Sequence, residues 1–306
     1  METSTPPQAT RARFQKRVLA RAVVVAKSFR SLARMTSDPL SADSITRLVI
    51  FGHPAHELAL FGFLQRLQPQ VIIVTDGGSE ERIRQSRAGL DLIGLEATYL
   101  DFAENDFYVA LLRRDVSFFE TVADCLREQI APASPQQIFC DAIEFYNPVH
   151  DITLPLVLRA AEAAPQAELF EVPLVYQTPA TDERYEIQRI PAASAQRRFR
   201  YHLTAEELRA KIRARDEIYL SLRDQAGPEF FAVTAEHLAT EEIALAGDPF
   251  VSPRVTGREL RYEWRANLLK QAGSIDEVIT RAGHFIPTAR GLLPNRSISS
   301  RVFVTP

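Results

Sequence analysis

Five short apolar stretches, each followed by a segment of helical periodicity, run through residues 46–172. Leu48–Phe51, Val71–Thr75, Ala97–Asp101, Gln137–Asp141 and Glu168–Val172 read as strands. Glu57–Leu67, Ser79–Ile93, Val116–Ile130 and Asp151–Ala164 read as helices, and Gly94 is a stop signal for the second of them. Strands that alternate with helices predict a mostly parallel sheet with helices on both faces, a Rossmann-like α/β fold. In such sheets ligands bind outside the carboxyl ends of the strands. The residues directly after each strand are therefore where chemistry is expected.

Beyond Val172 the alternation stops. Tyr185–Ile190 reads as an antiparallel or edge strand. Thr204–Arg223 reads as one long helix, opened by a capping box between Thr204 and Glu207. Glu229–Phe250 has no clear period, and Gly257–Gln271 and Ser274–Ala282 read as helix or mixed structure. No Gly/Ser-rich linker marks a boundary. The expected organisation is a basic helical extension over 1–44, an α/β core over 45–225 and a mixed C-terminal elaboration over 226–306.

The first segment differs in charge from the rest. Residues 1–37 carry eight basic side chains against one acid, a local charge of +7, so the remainder carries −10 within a net charge of −3. Phe14, Val18, Ala22 and Val25 have helical spacing. Two readings stand: a helix packed on the body with its basic face in water, or one lying on an anionic membrane surface. The balance of the whole chain gives no preference for nucleic acid. No apolar run is long enough for a transmembrane helix. Two cysteines, Cys125 and Cys140, make no disulfide framework and suit a reducing, cytoplasmic setting.

Three short motifs follow predicted strands. Gly52-His53-Pro54-Ala55-His56-Glu57 follows the first, Thr75-Asp76-Gly77-Gly78 the second, and Tyr146-Asn147-Pro148-Val149-His150-Asp151 the fourth. On a doubly wound sheet all three share one rim, which brings His53, His56 and His150 together. Neutral imidazoles suit zinc, and also iron or another divalent metal. Three such ligands leave a position open for water, as catalytic zinc sites do. The competing reading makes each histidine an ordinary loop or helix-start residue.

These motifs in this order resemble the LmbE-like/PIG-L superfamily of zinc-dependent N-deacetylases. The family's H-P-D-D-E is matched by His53-Pro54-Ala55-His56-Glu57, its T-D-G by Thr75-Asp76-Gly77, and its H-x-D-H by Asn147-Pro148-Val149-His150. Its helix with an Ala-x-x-x-Tyr-x-Ser ending is matched by Lys211, Ala214, Tyr219 and Ser221. The resemblance spans about residues 46–225. It implies zinc held by His53, His56 and His150, and a small-molecule substrate that is a sugar or sugar conjugate bearing an N-acyl group.

The departures carry chemical weight. The family's general base, the first Asp of H-P-D-D, is Ala55 here, and its second Asp, a metal ligand, is His56. The first His of H-x-D-H, an oxyanion donor, is Asn147. Loss of a positioned base lowers a rate by about 10²–10⁴. Three neutral ligands leave a divalent cation at +2, which acidifies bound water toward pKa ~7 and offsets part of that loss. The expected function is thus a divergent amide hydrolase, in which metal-bound hydroxide attacks the carbonyl and Asn147 stabilises the oxyanion. The alternative is a non-catalytic relative that binds a sugar or a partner. Asp76 and Glu57 are the candidate replacement bases. Glu57 also suits a helix first turn, and Asp76 an Asx turn. His284 is a candidate acid or oxyanion donor from the C-terminal part. Arg197, Arg198 and Arg200 form either an anion-binding cluster or a solvated face, and Tyr262 and Trp264 either stack on a sugar or pack.

Overall fold

A computed structural model describes residues 45–177, 185–190, 197–225, 233–250 and 259–294. The basic N-terminal helix, with its proposed membrane contact, lies outside the described residues. Among those that are described, no helix is long and apolar enough to cross a membrane.

The strands are β1 (Arg47–Phe51), β2 (Gln70–Thr75), β3 (Ala97–Phe102), β4 (Gln137–Asp141), β5 (Glu168–Val172), β6 (Val175–Gln177), β7 (Tyr185–Ile187), β8 (Arg198–His202) and β9 (Thr240–Leu245). Seven form one sheet in the order β3-β2-β1-β4-β5-β9-β8. The five predicted strands are its parallel part. β9 and β8 extend it in antiparallel fashion beyond β5. Strand order reverses between β1 and β4, which makes their carboxyl ends the topological switch point where ligands bind. The α/β class expected from the alternation is the one observed.

Residues on alternate sides of the strands face two helical layers. Leu48 and Ile50, Ile72 and Val74, and Ile138 and Cys140 point into one buried cluster. There they meet the helices α3 (Glu104–Arg113), α4 (Val116–Ala133) and α5 (Pro148–Ala160). On α4 the residues Phe119, Val122, Ala123, Leu126 and Ile130 recur at helical spacing on the buried face. The opposite face of the sheet packs Phe139 against Phe63 of α1 (Phe61–Leu67), with ring centroids 5.0 Å apart. α2 (Glu80–Leu92) starts at Ser79, whose hydroxyl accepts from the Arg82 N–H. Gly94 follows it at φ 70°, a left-handed position that glycine fills without steric cost.

Two sequence expectations are corrected, and one helix lies outside those expected. Glu57–Leu67 is not one helix: a 3₁₀ turn over His56–Leu60 precedes α1. The long helix over Thr204–Arg223 is also broken. α6 (Ala205–Arg213) carries the predicted capping box, then a π turn runs over Ala214–Ile218, and the chain leaves helical geometry at Tyr219. The break lets Tyr219 bury its ring and hydroxyl in the body of the protein. The amphipathic helix α3 is not among the helices that the sequence predicts. Ser274–Ala282 is an irregular link into a π turn over Arg281–Phe285, before α8 (Ile286–Leu292). Within Gly257–Gln271, helix α7 covers Arg261–Gln271.

The arginine cluster lies on β8, an edge strand. Arg200 pairs with Glu242 at 3.0 Å, and the Arg197 guanidinium lies over the Phe199 ring. Charged side chains on an edge strand discourage pairing with other chains. β7 pairs with β6 in a separate two-stranded sheet.

Candidate metal centre

The turn after β1 is shaped by close approach. A Cβ on Gly52 would sit 2.6 Å from Thr153 Oγ1 and 2.9 Å from Asp141 Oδ2. Glycine lets the backbone come so near that the Gly52 N–H donates to Asp141 Oδ2 at 2.7 Å. Three residues on, Ala55 holds φ 81°, a left-handed conformation costly for alanine. This geometry aims His53 and His56 at one point. His150 arrives from α5, whose start is capped by Asn147: its Oδ1 accepts from the Val149 N–H at 2.8 Å, and Pro148 occupies the first helical position.

The three imidazoles are buried and mutually in contact, with ring centroids 4.4–5.1 Å apart. Each offers a nitrogen, and these nitrogens lie within 4.8 Å of one another. One tetrahedral cation about 2.0–2.1 Å from each nitrogen would need them about 3.4 Å apart, so the rings would draw closer together to hold it.

Each histidine also has a carboxylate within 3.5 Å of its Nδ1. His56 Nδ1 is 2.9 Å from Asp141 Oδ2. His53 Nδ1 is 3.2 Å from Thr75 Oγ1 and 3.5 Å from Glu104 Oε2. His150 Nδ1 is 3.5 Å from Glu144 Oε2. The network fixes the tautomer at His53. Thr75 gives its one hydroxyl proton to the Gly52 carbonyl at 2.7 Å, so it accepts from the His53 Nδ1–H. His53 Nε2 is left buried with no hydrogen-bond partner, a lone pair that a metal would satisfy. Asp141 fixes His56 in the same way. Carboxylate-backed imidazoles are the usual second layer of histidine metal sites.

Burial, and then the neighbouring imidazoles, hold His56 and His150 well below the ordinary histidine value, so both are neutral ligands at neutral pH. Burial raises Asp141 to about 7 against the opposing Gly52 N–H, and pushes Glu144 well above the ordinary carboxylate range against the Leu174 and Val175 N–H groups. Glu104 behaves differently. Burial alone would raise it, but His53, Tyr108 and Arg82 overcome this and hold it at about 2.

The triad opens into a cavity of about 1030 Å³. Asn147, Glu104, Tyr108 and Arg82 line it with the histidines. Tyr108 donates to Glu104 Oε1 at 2.8 Å, and Asn147 Nδ2 lies 3.4 Å from the Tyr108 hydroxyl. Arg82 bridges two loops, donating to Pro54 O at 2.8 Å and Gly77 O at 3.0 Å.

Among the other singled-out residues, Asp76, Glu57 and His284 do not line the cavity. Asp76 Oδ1 accepts from the Gly78 and Glu104 N–H groups at 2.8 and 2.9 Å, an Asx turn that also anchors the start of α3. Glu57 is wholly buried and accepts from the Tyr219 hydroxyl at 2.7 Å. His284 Nδ1 accepts from the Thr280 N–H at 2.9 Å, within its own turn. Tyr262 lines the cavity while Trp264 is exposed beside it. Sequence reasoning missed the orienting carboxylates. Asp141 ends a strand and Glu104 opens a helix, and only the fold places them behind histidines distant in sequence.

No family model and no curated protein matches this chain. Among solved structures, it is similar to the deacetylase of the antimicrobial A40926 pseudoaglycone, at 16% identity and a TM-score of 0.49 over 66% of this chain and 96% of that one. It is likewise similar to the teicoplanin deacetylase in its zinc-inhibited form, at 14% identity and a TM-score of 0.45 over 65% and 97% of the two chains. A deacetylase–teicoplanin complex gives 12% identity and a TM-score of 0.41, covering 66% and 100%.

Proposed function

We propose that the protein is a metal-dependent amide hydrolase acting on an N-acyl sugar or sugar conjugate, with zinc held by His53, His56 and His150. One observation carries this reading: three buried imidazoles converge, and each has a carboxylate within 3.5 Å of its Nδ1. A divalent cation there supplies Lewis acidity and acidifies water.

The chain's own groups divide the remaining work. Asp141, Thr75 with Glu104, and Glu144 orient the ligands. Asn147 Oδ1 is committed to the helix start, which turns its Nδ2 toward the cavity side occupied by Tyr108. One Nδ2 hydrogen reaches Tyr108, and the second serves as oxyanion donor. Glu104 is the carboxylate of the cavity wall that stands beside a triad imidazole. Held at about 2, it is a weak proton acceptor. Asp76 positions Glu104 through its backbone N–H, and Glu57 braces the turn that carries His56. Lys211 braces the same turn from beneath, donating to Ala59 O and pairing with Glu241 at 3.0 Å.

The second reading, a binding protein on the same scaffold, draws on Ala55, which puts a methyl group where the family that the motifs resemble carries its base. The test is amine release from N-acetylglucosamine derivatives by the zinc-supplemented protein. Release that His150→Ala abolishes supports the hydrolase. Its absence across the series favours the binding protein.

A further inference from the structure

The cavity is larger than an acetyl group requires. Its volume of about 1030 Å³ lies at the upper end of the ~300–1,000 Å³ typical of small-molecule sites. Its lining combines buried apolar side chains with exposed charged ones.

Near the triad, Ala55 and Ala59 are two and three residues from the ligands His53 and His56, and both are buried. Leu174 and Val175 join them. Their backbone N–H groups donate to Glu144 Oε1, and the other oxygen of that carboxylate is 3.5 Å from His150. Both side chains line the cavity and are buried, as are Leu222 and Ile279. Polar groups near the triad are largely bonded to one another, through the Asn147–Tyr108–Glu104 chain and the Arg82 bridge to Pro54 and Gly77. Where the lining is exposed it carries Arg265, Asp276 and Glu277, together with Leu269.

We propose that the substrate is an amphiphilic amide: its acyl group is an alkyl chain lying along the buried apolar wall beside the triad, and its hydrophilic amine half meets the exposed charged lining. This rests on the amide-hydrolase reading, which puts the carbonyl at the triad and so leaves its two substituents to the two kinds of lining. An acetyl group would leave the apolar wall uncovered. Each methylene laid against it adds about fourfold in affinity, from ~0.8 kcal/mol per buried CH₂.

The experiment has two arms on the zinc-supplemented full chain. In the first, amine release is measured from N-acetyl-, N-hexanoyl- and N-octanoylglucosamine. In the second, acetate, hexanoate and octanoate are titrated by calorimetry; their head group is constant, so the trend reports only the chain. The expected result is a kcat/KM at least tenfold higher for octanoyl than for acetyl, with carboxylate affinity climbing by several-fold per added methylene. Val109→Phe, which narrows the cavity from a half-buried helix position, should flatten both slopes. Equal or better turnover of the acetyl compound, with a flat carboxylate series, overturns the chain site while leaving the hydrolase reading intact. A steep carboxylate series without amine release from any compound retains the apolar site and overturns the hydrolase reading and the substrate assignment with it.

Discussion

His56 Nδ1 and Asp141 Oδ2 lie 2.9 Å apart, and the same carboxylate oxygen accepts the Gly52 N–H at 2.7 Å. One buried atom thus sets both the ring of a ligand and the backbone that carries it. Asp141→Asn keeps the shape and removes the charge that makes the imidazole a strong ligand. Zinc affinity should fall by about 10–100-fold, as for other second-layer partners. Competition with a calibrated chelator measures it, and an unchanged affinity would separate Asp141 from the site.

Ala55 occupies a left-handed conformation at φ 81°. Glycine and, to a lesser degree, aspartate tolerate that region, whereas alanine loses roughly 1–2 kcal/mol in it. Ala55→Gly should therefore raise unfolding stability by about 0.5–1 kcal/mol after the entropy of the added freedom is deducted. Ala55→Asp fits the same backbone and adds a proton acceptor at the cavity floor. Amine release from N-acetylglucosamine derivatives should rise by about 10²-fold or more. No change would mean that another group already takes the proton.

Tyr219 fills the space that Gly89 leaves on α2. A Cβ at position 89 would fall on the Tyr219 hydroxyl and ring. Gly89→Ala is expected to cost about 1–3 kcal/mol by overpacking, despite alanine's better helix propensity. Tyr219→Phe should cost about the same by another route, because it leaves the buried Glu57 without its hydroxyl donor. Urea denaturation distinguishes these from silent changes. A stability within 0.5 kcal/mol of the parent, roughly the scatter of surface substitutions, would contradict either.

Glu207 sets an acid-stability limit away from the cavity. Burial would raise its carboxyl, but the Thr204 N–H, the Tyr201 and Thr204 hydroxyls and Arg66 hold it below the ordinary 4.5. The folded state therefore binds the proton less readily than the unfolded chain. The stabilisation is complete above pH 4.5 and is lost as pH falls through the depressed folded value. Glu207→Gln should flatten this part of the stability–pH curve below 4.5 while lowering stability at neutral pH. Parallel acid limbs for the two proteins would contradict it.

The parallel part of the sheet and the three histidines were legible because both are written locally. An apolar run flanked by helical periodicity needs no partner to be recognised, and each histidine sits within a few residues of a strand end. β8 and β9 were not legible in the same way. Arg198–His202 shows its charges and hides its pairing with β9, and β9 itself carries Glu241 and Glu242, whose burial depends on Lys211 and on backbone donors elsewhere. Tyr219 broke a helix that spacing alone would continue, since its partner Glu57 lies 162 residues away. Asp76 was legible as a turn former and Glu104 was not legible at all, although the two are joined by a single hydrogen bond at the cavity wall.

The account stands on the metal. Elemental analysis of the protein purified without chelators, beside His53→Ala and His150→Ala, tests it most directly. About one zinc or other divalent ion per chain in the parent, and a marked loss in both variants, is the predicted result for a three-histidine site. A parent without metal even after zinc is supplied, or variants that retain it, would contradict the assignment of the triad as a metal centre.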